Sequence, residues 1–343
     1  MRLSPLVLAG VLCAGWLPLP GAEENPEVDL LDPRTEKVIE GALKYMASQQ
    51  KADGSWGVSS EERRHPVALT AYTLMAFQAA GNLPNEGKHG KVVAKGLKYL
   101  LDKVGADGVF GNATGQYMYG HGIATIALAE LYGQTKDENI RGKLDRAIKL
   151  IIASQSRTGG WRYRPVSSDA DISVTVLQVV ALRAAKNSGI QVPPKTIEEA
   201  IKYVKACYHS GSGGFGYQPG SGPGFARTAA AVYSLQVCGL YDDPMVDKGC
   251  KYLESNNTPS AQWYVYGNFY AAPAQYMHRK GWEKWYKSMQ AILLKPGYLT
   301  SDASKGIHYW NNKGRGGVGP IYTTAVFTTI LAMPYHYIPL YQR

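Results

Sequence analysis

Hydrophobic and polar residues define two kinds of helical segment that alternate along the chain. In the first kind, apolar residues recur every three or four positions with lysine on the opposite face, as in "ALKYMAS", "GLKYLLD", "AIKLIIAS" and "AIKYVKA". In the second kind, alanine, threonine and valine follow one another almost without charge, as in "PVALTAYTLMAFQAAG" and "DISVTVLQVVAL". A helix without a polar face must be surrounded by protein, so the pattern predicts charged outer helices and uncharged inner helices.

This alternation repeats about every fifty residues. Each outer helix leads into a glycine-rich turn, and the turns place Trp56, Phe110, Trp161 and Phe215 at equivalent positions. Two less regular copies follow and bring the total to about six units. An open solenoid would need polar end caps, which neither terminal unit has. We therefore predict an all-α, closed (α/α)6 toroid, with the glycine–aromatic turns around the mouth of a central cavity.

The units resemble the repeat shared by squalene–hopene cyclases, oxidosqualene cyclases and protein prenyltransferase β subunits. That repeat has a Gln about four residues before a Gly and a Trp two residues beyond, and the spacing recurs at Gln50–Trp56 and Gln155–Trp161. The resemblance extends over roughly residues 35 to 335 and implies a single terpenoid cyclase-like toroid. It also implies that Gln50, Gln155 and the aromatic residues of the turns join neighbouring units.

The segment "SDADIS" contains a candidate catalytic acid. Class II terpene cyclases use an Asp-x-Asp-Asp acid at the start of an inner helix, and Asp169 and Asp171 resemble its first two aspartates in position. Ile172 replaces the third, which would help to hold and polarise the acid. Alternatively, Asp169 is the N-cap and Asp171 lies in the first helical turn, where the helix dipole favours negative charge. We expect capping, with the pKa of Asp171 lowered by backbone N–H groups.

Polar and aromatic residues near the turns are candidates for ligand binding. Their rings could stabilise a carbocation or stack on a sugar, or they could simply pack the turns. The chain contains 24 Tyr and only 6 Phe, so most of its aromatic rings carry a polar edge. The candidate cavity residues are Tyr119, His121, Tyr163, Tyr217, Arg227, Tyr266, Tyr309 and Trp310.

The N-terminus is typical of an exported protein. Residues 1–22 combine an early Arg, an apolar run and small residues before a polar stretch, which predicts a signal peptide followed by a single domain over 23–343. We therefore expect secretion or a periplasmic location. No later apolar run approaches the length of a transmembrane helix, so a transmembrane protein is not expected.

The net charge and the cysteine content limit the partners and metals that the protein is expected to bind. The formal net charge of +10 could attract an anionic envelope polymer, or it could reflect lysine-rich outer helices, and no basic run is typical of nucleic-acid binding. Cys207, Cys238 and Cys250 lack the paired spacing of a zinc site, and the Asp–Cys–His zinc ligands of prenyltransferases are missing. We expect no metal or cofactor. The one disulfide that we consider would join Cys238 to Cys250.

Three functions fit this pattern. We favour an exported protein that binds an apolar or amphiphilic ligand, such as a lipid or glycan, or a partner, in its central cavity without catalysis. The second is a terpenoid cyclase or prenyl-chain enzyme that uses Asp169 and Asp171, although a signal peptide and a single toroid argue against it. The third is a polysaccharide lyase or hydrolase with Asp171, His121, Arg227 and Tyr217 around an anionic sugar.

Overall fold

The computed structural model describes residues 30–311 and 317–341. The predicted signal peptide, residues 1–22, lies outside these ranges, and the assignment of 23–343 to one domain stays a prediction. Twelve α-helices dominate the described residues. A short antiparallel hairpin pairs β1, Thr300–Asp302, with β2, Ile307–Tyr309.

Six helices form an outer ring, and each is amphipathic. In α5, for example, Ile140, Leu144, Ile148 and Ile151 are buried, whereas lysines lie on the other face. Aspartates cap several of these helices; the Asp32 carboxylate accepts a hydrogen bond from Thr35 N at 2.7 Å. The outer helices are α1 Pro33–Ser48, α3 Gly90–Lys103, α5 Glu138–Ala153, α7 Pro194–Ala206, α9 Pro244–Asn256 and α11 Trp282–Leu293.

The other six helices form an inner ring and are buried on nearly every side, as their lack of charge predicts. Each inner helix packs against the next, and the last packs against the first. This closure confirms the predicted (α/α)6 toroid. The inner helices are α2 Pro66–Ala79, α4 Tyr117–Thr135, α6 Ile172–Ser188, α8 Phe225–Val237, α10 Tyr264–His278 and α12 Pro320–Leu331.

The buried carboxylate of Glu62 holds the two ends of the ring together. One of its oxygens accepts hydrogen bonds from the backbone N–H groups of Ile321 and Tyr322, at 2.7 and 3.2 Å. The other accepts from Val58 and Ser59, at 2.9 and 3.1 Å. The side chain therefore connects the turn before α2 to the start of α12, about 260 residues further along the chain.

The repeat motif has the structural role that the resemblance implies. Trp161 is almost fully buried, and its indole Nε1 donates to the carbonyl of Ile151 in the preceding outer helix at 2.7 Å. The Gln155 amide donates to its own turn and, at 2.9 Å, to the carbonyl of Thr196 in the next outer helix. Gln50 makes the equivalent bond to Val92 at 3.0 Å. In these two units the tryptophan thus fixes the turn, and the glutamine joins it to the next outer helix.

Aromatic side chains occupy the interior of the ring, where we expected an open central cavity. Tyr72 makes edge contacts with Phe269 and Tyr322, each with ring centroids 5.0 Å apart. Tyr266 and Tyr270 form another such pair at the same spacing. These side chains come from the three consecutive inner helices α10, α12 and α2, so rings from neighbouring helices pack together inside the ring. A ligand as large as a polyprenoid would have to displace them.

Two further predictions concern a disulfide bond and membrane-spanning helices. Cys207, Cys238 and Cys250 are all free thiols, so the Cys238–Cys250 disulfide that we considered is not formed. In the described ranges, no helix is both long enough and apolar enough to cross a bilayer.

Candidate functional site

Asp171 lies at the mouth of the ring, where the inner helices begin. It is the N-cap of α6: its Oδ1 accepts hydrogen bonds from Val174 N at 3.0 Å and from the Ser173 hydroxyl at 2.8 Å. Its side chain is fully buried. Asp169 is half-exposed and accepts from Ala170 N at 2.7 Å. The capping prediction is therefore wrong in its assignment, since Asp171 and not Asp169 is the N-cap.

The electrostatics of Asp171 also differ from our prediction. Burial raises its pKa, and this effect outweighs the hydrogen bonds from Val174 and Ser173 and the proximity of Tyr217 and Arg162, which lower it. Oδ2 accepts no hydrogen bond of normal geometry from the described residues, and the nearest cationic atom is Arg162 Nε at 3.8 Å. The expected lowering of the pKa is wrong because capping occurs here in a site closed to water.

Arg162 connects the two aspartates to two tyrosine rings. Its guanidinium pairs with Asp169, and the pKa of that carboxylate is lowered first by the hydrogen bond from Ala170 N and then by this pairing. It also lies over the rings of Tyr163 and Tyr217, 5.2 and 6.0 Å from their centroids. The two tyrosine hydroxyls are 2.5 Å apart. Because Tyr163 and Tyr217 belong to successive turns, the site lies between two repeat units.

We call Arg162, Tyr163, Asp169, Asp171 and Tyr217 the mouth cluster. Its wall towards the ring interior consists of tyrosines from opposite inner helices. The Tyr119 ring lies 6.0 Å from Tyr163 and 6.5 Å from Tyr266, centroid to centroid. The Tyr266 hydroxyl donates to the carbonyl of Ser173 at 2.7 Å, which ties α10 to the start of α6. The structure thus brings together Asp169, Asp171, Tyr119, Tyr163, Tyr217 and Tyr266 from the predicted set.

His121 and Arg227 serve local structure. His121 is fully buried; its Nδ1 is 2.9 Å from the Tyr117 hydroxyl and its Nε2 is 3.1 Å from the carbonyl of Ala147. Burial lowers its pKa to about 4, so the imidazole is neutral at pH 7. Arg227 donates to the carbonyl of Gly222 at 2.9 Å and stabilises its own turn.

Tyr309 and Trp310 take part in packing at the sixth turn. The Tyr309 ring stacks on Tyr45 with centroids 4.5 Å apart. Trp310 is almost fully buried, and its indole donates to the carbonyl of Leu293 at 2.8 Å. Trp310 therefore occupies the position that Trp56 and Trp161 hold in their own units.

Sequence reasoning missed two residues at the mouth. Arg162 follows the repeat Trp in "GWRY", so its position beside the turn was the available signal. Trp263 directly precedes α10, has a left-handed backbone with φ of 60°, and leaves 49% of its surface exposed. An exposed indole at the start of an inner helix adds an aromatic surface at the rim of the mouth.

The cluster can provide hydrogen-bond donors, acceptors and aromatic faces. Its chemical groups are one guanidinium, one exposed and one buried carboxylate, and two phenols. Across residues 30–311 and 317–341, no three His, Cys, Asp or Glu side chains are grouped so that they could hold a metal ion. The groups present suit the recognition of a polar, partly flat ligand.

The fold is similar to those of several solved enzymes. The type II terpene cyclase MstE from Scytonema, in complex with its substrate geranylgeranyl dihydroxybenzoate, is 13% identical; the match covers 92% of this chain and 100% of that one, with a TM-score of 0.54. Cellobiose 2-epimerase from Bacillus thermoamylovorans is 13% identical, with coverage of 87% and 97% and a TM-score of 0.62. These matches confirm the predicted α/α toroid fold.

A mannanase gives a similar result. The glycoside hydrolase family 76 α-mannanase from Bacteroides thetaiotaomicron is 11% identical, with coverage of 91% and 99% and a TM-score of 0.63. At such low identity these likenesses establish the fold and leave activity open.

No curated protein matches the chain significantly in sequence. Residues 35–224, more than half of the chain, match the family described as domain of unknown function DUF6288. The chain therefore belongs to the DUF6288 family.

Proposed function

We propose that the protein binds a saccharide at the mouth of the toroid, through the mouth cluster. The observation that carries this proposal is the pair of half-buried tyrosines, Tyr163 and Tyr217, with Arg162 over both rings and two carboxylates close to its guanidinium. A pyranose presents flat C–H faces and a rim of hydroxyls. Aromatic rings can stack on those faces, while guanidinium and carboxylate groups can bond the rim.

The cluster is better suited to a neutral sugar than to an anionic one. The positive charge of Arg162 is already matched by Asp169, and the buried Asp171 lies 3.8 Å from the same guanidinium. Sugar hydroxyls can donate to the exposed Asp169 carboxylate, which an anionic ligand would meet as a like charge. Two of the similar folds belong to proteins named for saccharides, a cellobiose epimerase and an α-mannanase, which supports this ligand class by analogy of fold alone.

Binding without an assigned reaction is the function we propose. The hydrogen bond from Ala170 N and the pairing with Arg162 lower the pKa of Asp169 and keep it a carboxylate, whereas Asp171 is buried and directed towards its own helix. An amphiphilic ligand with a sugar head group also fits, with the head at the mouth. Its apolar chain would have to displace the tyrosines of the interior.

A terpenoid cyclase-type acid is the second candidate. The observation that favours it is the position of Asp171, buried at the start of an inner helix with a raised pKa, because alkene protonation needs a carboxyl group that stays protonated. Incubation with polyprenoid substrates, followed by mass spectrometry for a cyclised isomer, tests it. A product that disappears in Asp171→Asn would move this candidate to first place.

We also propose that the protein is exported. Residues 1–22 have the features of a signal peptide, so the N-terminus of protein recovered from its native host should begin near residue 23. An unprocessed N-terminus in the cytoplasmic fraction would contradict export.

Calorimetric titration with neutral oligosaccharides tests the binding proposal. Tyr163→Ala should weaken binding by about tenfold or more, because it removes a stacking face, whereas Tyr163→Phe should have a smaller effect. Tyr337→Ala is the matched control, since Tyr337 is an exposed tyrosine at the opposite end of the ring. No binding by the wild-type protein, or equal losses in Tyr163→Ala and Tyr337→Ala, would contradict the proposal.

A further inference from the structure

A second concave site lies at the end of the ring opposite the mouth. It is a cavity of about 230 Å³ between α1, the turn that follows α2, and the C-terminal segment. Since the inner helices begin at the mouth, the turn after Ala79 marks the other end. We call this site the basal groove; its principal side chains are Glu36, Glu40, Asn82, Lys88, Tyr335 and Tyr337.

One wall of the basal groove is acidic. Glu36 and Glu40 are one helical turn apart on α1, so both carboxylates lie on the same face. Glu40 already binds the ammonium group of Lys88, and the buried Nε2 of His89 lies 3.5 Å from the same carboxylate without forming a hydrogen bond. Glu36 pairs with no cation in the part of the chain that the structure describes.

The facing wall is aromatic. The Tyr335 and Tyr337 rings are 5.9 Å apart with a tilt of 38°, and Tyr337 leaves 51% of its surface exposed. Burial raises the pKa of Tyr335, and the charges of Glu36 and Glu40 raise it further, which places both carboxylates near that phenol. A cation in the groove would therefore have carboxylates on one side and aromatic rings on the other.

We propose that the basal groove binds an alkylammonium group. Lys88 already pairs with Glu40 at the edge of the groove, and Glu36, one turn away, offers a second carboxylate to a cation. Two carboxylates against one lysine disfavour an anionic ligand. A neutral ligand would leave the charge of Glu36 uncompensated once it excluded water from the groove.

The ammonium group could be supplied by a free diamine or by lysine side chains of a peptide. Titration with 1,5-diaminopentane and, separately, with a tri-lysine peptide distinguishes these sources, and 1,5-pentanediol serves as the uncharged analogue. The titrations are best followed by calorimetry at low salt, because ion pairing at a partly exposed site is screened by ions. We expect at least one amine to bind and the diol not to bind.

Charge-neutral variants of glutamate locate the site. Glu36→Gln should weaken amine binding by about fivefold or more, whereas Glu198→Gln, an exposed glutamate of α7 on the opposite side of the outer ring, should leave it nearly unchanged. Tyr337→Ala should also weaken binding of the amine. Equal effects of Glu36→Gln and Glu198→Gln, equal binding of the diol, or no amine binding at low salt would overturn the proposal.

Discussion

Replacing Glu62 tests how the ring is closed. In the Glu62→Ala variant, four backbone N–H groups lose their acceptor: those of Ile321 and Tyr322, which are buried, and those of Val58 and Ser59, which are partly buried. A buried donor left unsatisfied costs about 1 to 3 kcal/mol, and the partly buried pair can recover water, so we expect a loss of about 3 to 5 kcal/mol in the free energy of unfolding.

Glu62→Gln retains the shape of the side chain and one acceptor oxygen. It should therefore cost about half as much as Glu62→Ala, because its NH₂ group faces one pair of backbone donors. Urea denaturation gives the free energies of unfolding, and hydrogen exchange should show protection lost first at residues 58–59 and 321–322. Glu61→Gln is the control, since Glu61 is a neighbouring, partly exposed glutamate with surface ion pairs, and should cost less than about 0.5 kcal/mol.

The reasoning fails if Glu62→Ala costs less than about 1 kcal/mol, or no more than Glu61→Gln. Either result would mean that water satisfies all four N–H groups and that packing between α12 and α2 alone closes the ring.

Three other predictions follow from buried groups. Trp161→Ala should destabilise the fold by about 3 to 5 kcal/mol in urea denaturation; less than about 1 kcal/mol would mean that the turn repacks around the cavity. Burial raises the pKa of Glu130 to about 7, so the free energy of unfolding of the wild type should fall as the pH rises from about 4.5 to about 7. Glu130→Gln should abolish that fall, and parallel pH profiles of the two proteins would contradict the shift. The pKa of Asp171 is also raised, so Asp171→Asn, which keeps the cap, should gain stability relative to the wild type as the pH rises through the folded-state pKa of Asp171. Asp171→Ala removes the cap and should lose about 0.5 to 2 kcal/mol of capping energy. Unchanged stability of Asp171→Ala would show that the cap contributes little.

The repeat turns could be predicted because their signals are local. Trp161 and Gln155 lie within one unit, and the hydrophobic period of the flanking helices determines which faces become buried. Ring closure was also predictable, since neither terminal unit has a polar face. The contact that joins the ends was not, because Glu62 stands among other charged residues in "EERR" and its partners in α12 lie about 260 residues away.

The candidate site was only partly predictable. The sequence placed both aspartates at the start of an inner helix, but the cap lies two residues later than expected. The sign of the pKa shift depends on whether capping or desolvation dominates, and burial of Asp171 is a property of the packed turns rather than of residue type. Tyr119 and Tyr266, which we assigned to the cavity, lie close to one another because they come from the opposite inner helices α4 and α10. The neighbouring rings of Tyr72, Phe269 and Tyr322, which pack inside the ring, were not singled out in the sequence.

A crystal structure of the protein with a bound neutral oligosaccharide tests the central claim most directly. The account predicts a pyranose ring stacked on Tyr163 or Tyr217, with its hydroxyls bonded to Asp169 or to Arg162. A sugar bound in the basal groove, or within the ring interior after displacement of its tyrosines, would contradict it.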